Sequence, residues 1–433
     1  MYRYLSIALI LVQFVGISHI QGNETSLDLS LETIFRNVEL NNYNLKAKKE
    51  AINTALSKQK QATVLPNPEL EIESENIFGE GEASGFDAAE TTVLFTNSFE
   101  RPKKRKARKN LAKSDTSYAK IDFELSKQSL FLTAFDRYIT ALSKKEHLSI
   151  AKKQQQLHKS FVYTIKKQVE SGRLAKAELT RSEIELELSY ADLKRADYEF
   201  EESVSWLSAL WNEPAKTGLF QLPALVLPIQ LTEKYPSTLE DRLESNLAYQ
   251  LIGAQLQQSK KAVELEKTVS KIDPVISAGV KQDSSTDDSS FVAGIGLPIP
   301  LFDRNKSNIN AAEFQSKEMH FQLKEQQTNL SVHYQNTIQL LALLEEEIIS
   351  LKDSILPKTE SVYSQVQKGY LQGKYAYLDV INAQQHWSDT QKHYVSVLQN
   401  YWMTLAEAEL LLGHSLDKRL PKLFQTVKGD SND

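Results

Sequence analysis

From Lys103 to Ser171 the chain contains neither glycine nor proline. As a helix, at about 1.5 Å per residue, that stretch would extend about 100 Å. No compact core needs an element that long, so the fold must be elongated. The shortage of breakers is general, with 15 Gly and 12 Pro among 433 residues. A second long stretch, from Ser307 to Gln372, is interrupted at Pro357 and Gly369, where a kink or short break is expected.

Each long stretch ends in a glycine with matching neighbours. "QVESGRLAKAEL" and "YLQGKYAYLDV" place Gly172 and Gly373 at an offset of 201 (373 minus 172), and the same offset pairs Ala175 with Ala376, Glu178 with Asp379 and Leu179 with Val380. The following segments keep a seven-residue period, in Leu179, Leu186, Leu193, Phe200 and Leu207 and again in Val380, Trp387, Tyr394, Tyr401 and Ala408. That period imposes a left-handed supercoil.

Upstream, each half supplies two strand-like segments, at about 67–75 and 90–100 and at about 274–282 and 290–299. Alternation is clear in Glu69-Leu70-Glu71-Ile72-Glu73 and through Phe291, Ala293, Ile295 and Leu297. The unit of helix, strand, loop, strand, very long helix, Gly turn and helix thus occurs twice. The first repeat covers 23–211, with its long helix at 103–171, tip turn at 172 and second helix at 174–211. A linker occupies 212–237. The second repeat covers 238–413, with its long helix at 305–372, tip turn at 373 and second helix at 374–412. Residues 414–433 form a C-terminal tail.

Residues 1–22 read as a signal peptide, with Arg3 in a short n-region before the apolar run Leu5 to Ile17. That run is too short for a membrane span of about 20 residues. The absence of cysteine excludes disulfides, thiol catalysis, thiolate metal sites and a lipid-bearing N-terminal Cys. With 51 basic and 56 acidic residues the net charge is -5, so nucleic acid is not expected as a partner. The basic run "RPKKRKARK", Arg101 to Lys109, is instead expected at a membrane rim, near anionic lipid headgroups.

Strands of about ten residues suit a transmembrane barrel. Four cannot close one, and open edges are not tolerated in lipid. Three copies would supply twelve. The expected fold class is mainly α with a membrane β-barrel portion, four strands per protomer, continued by a helical tube across a periplasm. In "GLPIPLFDRN", Pro298 and Pro300 end the last strand's ladder and Asp303 offers a helix N-cap.

The duplicated Gly turn, "LPNPELEIESENIFG" and "GLPIPLFDRN" resemble the TolC-like outer-membrane efflux factor family, in its heavy-metal branch. The resemblance implies a homotrimeric duct that docks through a periplasmic adaptor onto an inner-membrane resistance-nodulation-division transporter. It places Gly172, Arg173, Ala175, Glu178 and Leu179, with Gly373, Lys374, Ala376 and Val380, at adaptor-contacting tips. Asp379 falls on an acidic gate position. Asn382 stands where related channels often carry a second gate aspartate. Pro300, Leu301, Phe302, Asp303, Arg304 and Asn305 form the strand-to-helix motif. The residues offer no catalytic motif, metal cluster or cofactor site. Drug efflux, type I protein secretion, and a periplasmic coiled-coil scaffold without a pore are the alternative readings.

Overall fold

A computed structural model of the chain describes residues 27–28, 30–81, 84–213, 220–225 and 235–425. The expected signal peptide and part of the 212–237 linker lie outside the described residues.

The main sheet has four antiparallel strands, β2 (Glu69–Glu75), β3 (Glu90–Ser98), β5 (Val275–Asp283) and β6 (Asp288–Gly296), in the order β2-β3-β5-β6. Two hairpins, one from each half of the chain, meet along β3 and β5. A separate short pair, β1 (Leu27–Asp28) and β4 (Phe220–Gln221), is parallel.

The register sorts the sheet into two unlike faces, because partners across antiparallel strands point the same way. One face carries Leu70 beside Phe95, Ile72 beside Val93 and Val280 beside Phe291, with Ile276 beside Ile295. The other carries Glu69, Glu71 and Glu73 opposite Thr96, Leu94 and Thr92, with Lys281 paired to Glu90. On the apolar face Leu70 is 66% exposed, Ile72 67%, Phe291 75% and Ile295 75%. None of the described residues covers that face. Strands β2 and β6 are also open edges.

Below the sheet the helices lie side by side. They are α1 (Leu31–Asn41), α2 (Tyr43–Gln61), α3 (Pro102–Glu170), α4 (Lys176–Ser208), α5 (Leu247–Val269), α6 (Lys306–Ser350), α7 (Leu356–Leu371), α8 (Tyr377–Leu411) and α9 (Leu416–Gln425). Helix α3 packs against α2 and α5, and α5 against α6. That neighbour order is the one the strands already have.

Each half carries a similar polar joint of its own. Asn42 accepts the Asn44 N–H at 2.9 Å to cap α2 and donates to the Leu210 carbonyl at 2.8 Å. Asn246 accepts the Tyr249 N–H at 3.1 Å to cap α5 and donates to the Leu411 carbonyl at 3.0 Å. The densest core lies between, where Phe131, Phe135, Tyr138 and Leu142 of α3 meet Leu398, Trp402 and Leu405 of α8 and Phe424 of α9. Glu409 is fully buried beside it. It accepts from the Tyr235 hydroxyl at 2.9 Å, His414 Nδ1 at 2.6 Å and Arg419 Nε at 3.1 Å. Burial, with Glu409 alongside, holds the Tyr235 phenol far above its usual range, so it remains a donor.

Several details depart from the sequence reading. Asp303 does not cap α6. Its Oδ1 accepts the Asn305 N–H at 2.8 Å in an Asx turn, and the N-cap is Asn305, with φ 56°, in the left-handed region Asn tolerates. Asn305 Nδ2 also reaches the Glu266 carbonyl at 3.0 Å and its Oε2 at 2.6 Å, fastening α6 to the end of α5. The interruption expected at Pro357 takes the form of a π-helical turn, Leu351–Ile355, between α6 and α7, which leaves Pro357 in the first turn of α7, where no N–H is required. Helix α7 runs through Gly369, whose missing Cβ makes room for the Tyr375 ring, 2.4 Å from where that atom would stand. The 414–433 segment is not all tail, because α9 buries Leu416 and Leu420 in the core. Each tip turn consumes more residues than expected, so α4 and α8 begin at Lys176 and Tyr377.

Removing Glu409 would leave Arg419 and His414 facing a space without their anion. Glu409→Ala should cost about 3 kcal/mol, read as a lowered thermal midpoint. Glu407→Ala, which removes an exposed pair with His333 at 3.0 Å, should cost under about 1 kcal/mol.

Candidate functional site

The two helix-hairpin tips are built by the same local chemistry. In the first, Gly172 has φ +73°; its N–H bonds the Val169 carbonyl at 3.0 Å and the Arg173 N–H bonds the Gln168 carbonyl at 2.9 Å. In the second, Gly373 has φ +74°, its N–H bonds the Tyr370 carbonyl at 2.9 Å and the Lys374 N–H bonds the Gly369 carbonyl at 2.9 Å. Both are Schellman closures. A Cβ at either glycine would meet nothing within 4 Å, so backbone handedness alone, worth about 1–2 kcal/mol for another residue, selects glycine.

After each turn an extended alanine, Ala175 or Ala376, forms the N-cap of the next helix. Neither has a side-chain acceptor. At the second tip Asp379 supplies one from the other direction, its Oδ2 accepting the Ala376 N–H at 2.8 Å. This is half of a capping box, and a carboxylate in a first turn also suits the helix dipole. Glu178 occupies the corresponding place in the first tip, but its Oε1 faces Arg181 at 3.3 Å in a part-exposed pair. The two tips are thus alike in backbone and different in side-chain capping.

Gly172, Arg173, Ala175, Gly373, Lys374, Ala376, Asp379 and Asn382 are exposed. Leu179 and Val380 turn inward into one apolar cluster shared by the two hairpins. The strand-to-helix motif, Pro300 to Asn305, lies at the other end of α6 and belongs to no common site with the tips. The reading from sequence missed the centre of the tip cluster. Phe161 lies 5.6 Å from the Tyr370 ring and stacks 6.1 Å from Tyr377, while Tyr363 stacks on Trp387 at 5.3 Å. Tyr363, Tyr370 and Tyr377 are themselves seven apart, and that spacing was the available signal.

Burial, with Glu178 nearby, raises the Tyr370 phenol above its usual range; burial, Glu185 and Glu178 do the same for Tyr377. Both hydroxyls and Glu178 Oε2 are buried without a hydrogen-bond partner among the described residues. The closed side of the tip therefore holds neutral donors close to a carboxylate. Among the described residues no three His, Asp or Glu side chains gather as a metal site.

One turn further from the tips, a polar cavity of about 440 Å³ opens between α3, α4 and α8, lined by Gln154, His158, Asp192, Gln384 and Asp389. Gln384 Nε2 donates to Gln154 Oε1 at 2.8 Å and lies 3.0 Å from His158 Nε2. That second contact requires an unprotonated acceptor nitrogen. Burial lowers the His158 pKa in agreement, with Asp192 opposing it. The unfolded chain therefore takes up a proton that the folded one refuses, so the stability contribution is present above the ordinary histidine value of about 6.5 and is lost as pH falls below it. His158→Gln should flatten the fall in thermal midpoint between about pH 7 and pH 5; an unchanged slope would remove His158 from this role.

A family model described as outer membrane efflux protein matches residues 251–414. The cobalt-zinc-cadmium resistance protein CzcC of Cupriavidus metallidurans is 23% identical over 295 residues, 67% of each chain. Among solved structures, CusC superposes with a TM-score of 0.77 at 15% identity, over 95% of this chain and 99% of that one. The Campylobacter jejuni CmeC outer membrane channel gives 0.75 at 12% identity, over 92% and 90%. The open state of the Neisseria gonorrhoeae MtrE outer membrane channel gives 0.73 at 16%, over 96% and 98%.

Proposed function

The chain belongs to the outer membrane efflux protein family, and from that premise we propose that it is the exit duct of a tripartite efflux system. It is an outer-membrane protein that extends into the periplasm, and its relatives are channels rather than enzymes. The observation that carries the proposal is the four-stranded sheet, with one apolar uncovered face and two open edges. In lipid each unpaired backbone group costs several kcal/mol. Closing the sheet with identical neighbours removes that cost, and three protomers make a barrel of twelve strands, an even number within the range of such barrels. The apolar face then meets lipid and the glutamate-bearing face lines the passage.

The helices continue the barrel as a tube whose far end is the pair of tips. Here the exposed groups at Gly172, Arg173, Ala175, Gly373, Lys374 and Ala376, with the half-buried Glu178, serve a periplasmic adaptor, which couples the duct to an inner-membrane resistance-nodulation-division pump, while Leu179 and Val380 pack the tips from within. Three copies of Asp379 surround the opening. Each holds its own helix start through a single hydrogen bond, a contact that an adaptor can replace with a better one. Asn382, one turn further, keeps the ring polar without adding charge.

The cargo we assign is heavy-metal cations. Similarity to CzcC supports this, as does the lane of Glu69, Glu71, Glu73 and Glu75 on the polar face of β2, which favours cations in a narrow aqueous passage. Transport is passive at this step, so the duct needs no resident ion.

Purified protein in a planar bilayer should give single-channel currents. Asp379→Ala, which removes the Ala376 cap, should raise the open probability several-fold. No conductance would remove the duct, and an unchanged open probability would remove Asp379 from the gate. A deletion strain should lose tolerance to at least one of zinc, cobalt, cadmium, copper or silver; unchanged growth on all five would rule out the metal assignment and leave drug or protein export.

A further inference from the structure

The basic run at the head of α3 has more charge than the fold uses. Lys104 pairs with Asp273 at 2.6 Å, and Arg108 pairs with Glu100 at 2.9 Å while donating to the carbonyls of Ala62 and Val64. These two cations fasten α3 to the ends of α2 and β5. Lys103, Lys106 and Lys109 are exposed and form no ion pair among the described residues.

Their placement follows from helix geometry. Lys104, Asp115 and Tyr118 of α3 bond toward the β5 and α5 side, through Asp273, Gln258 and Gln255. Arg108 and Asp122 bond toward the α2 side. At about 100° per residue, Lys103, Lys106 and Lys109 fall on the face turned away from both neighbours. On the adjoining level lies an apolar collar, Phe99, Leu297, Ile299, Leu301 and Phe302, the last 99% exposed. It extends the apolar face of the sheet beyond the strand ends, and Arg304 and Lys306 are exposed beside it. Of the nearby acids, Glu100 and Asp273 are ion-paired as above, while Glu266 and Asp303 are hydrogen-bonded to the Asn305 amide groups rather than to the lysines.

We propose that this junction is a binding site for anionic phospholipid of the inner leaflet, with Lys103, Lys106 and Lys109 holding the headgroup and the collar seating the acyl chains. An exposed Phe beside exposed apolar side chains is stable where one side is hydrocarbon. Clustered lysines at that level attract a negative headgroup within a Debye length. The two features complement the two ends of one lipid molecule. The helices lie at the periplasmic end, so the leaflet they meet is the phospholipid one. The site rests on the outer-membrane duct reading, and it adds a lipid preference that the duct alone does not require.

The test uses the full-length protein in nanodiscs of phosphatidylethanolamine containing a minority of phosphatidylglycerol, with lipid retained on the released protein read by native mass spectrometry. Wild type should retain phosphatidylglycerol in excess of its share. Lys103→Gln/Lys106→Gln/Lys109→Gln should lose that excess, by about fivefold per lysine, and Lys152→Gln/Lys166→Gln, on exposed α3 positions toward the tip, should keep it. Should the triple variant not fold, single Lys106→Gln gives the same comparison at smaller amplitude. No preference in wild type, or equal retention by wild type and variant, overturns the site. Heat-modifiable migration of the same samples reports the barrel separately, so its loss would count against the duct and not against the lipid preference.

Discussion

The unpaired edges of β2 and β6 are the constraint on which the rest of the molecule depends. A four-stranded sheet with an apolar face is stable neither in water nor, with open edges, in lipid. On the proposed duct reading the sheet is one part of a barrel, and the order β2-β3-β5-β6 is matched by the order of the helices that leave it. Helix α3 stands between α2 and α5 because β3 stands between β2 and β5. What looks like a helical architecture takes its arrangement from hydrogen bonds made in the sheet.

The middle of the helical portion and its tip end are held by different physics. The core around Phe135 and Trp402 is tightly buried, and Glu409 and the two capping asparagines tie its chain segments together. The tips rest on paired Schellman turns, one carboxylate bond and an aromatic cluster whose Tyr370 and Tyr377 hydroxyls have no hydrogen-bond partner among the described residues. An element meant to move is drawn from the weakly held part of a structure. On the proposed gate reading, the core around Phe135 stays fixed and the tips are the part that moves.

Much of this was legible in the sequence for identifiable reasons. Left-handed turns need glycine, so Gly172 and Gly373 stood out, and a half-exposed strand must alternate, so the Glu and Leu/Ile pattern of β2 was readable. Other features depend on contacts that no local pattern encodes. The choice of Asn305 over Asp303 as N-cap depends on Glu266, 39 residues away. Helix α9 is short, and its burial comes from partners in α1, α3 and α8. Along α4 as far as Ser203 the buried positions are Ser182, Ser189 and Ser203, whose hydroxyls bond back to carbonyls three residues earlier. Small residues permit close helix approach there, so a search for apolar heptads passes over them.

The most direct test of the central claim is the detergent-corrected mass of the solubilised outer-membrane protein by light scattering. If neighbouring copies satisfy the edges of β2 and β6, the mass is that of three chains, each 49.1 kDa before any processing. A stable monomer would mean that four strands persist in a membrane environment with open edges, and would contradict the account at its base.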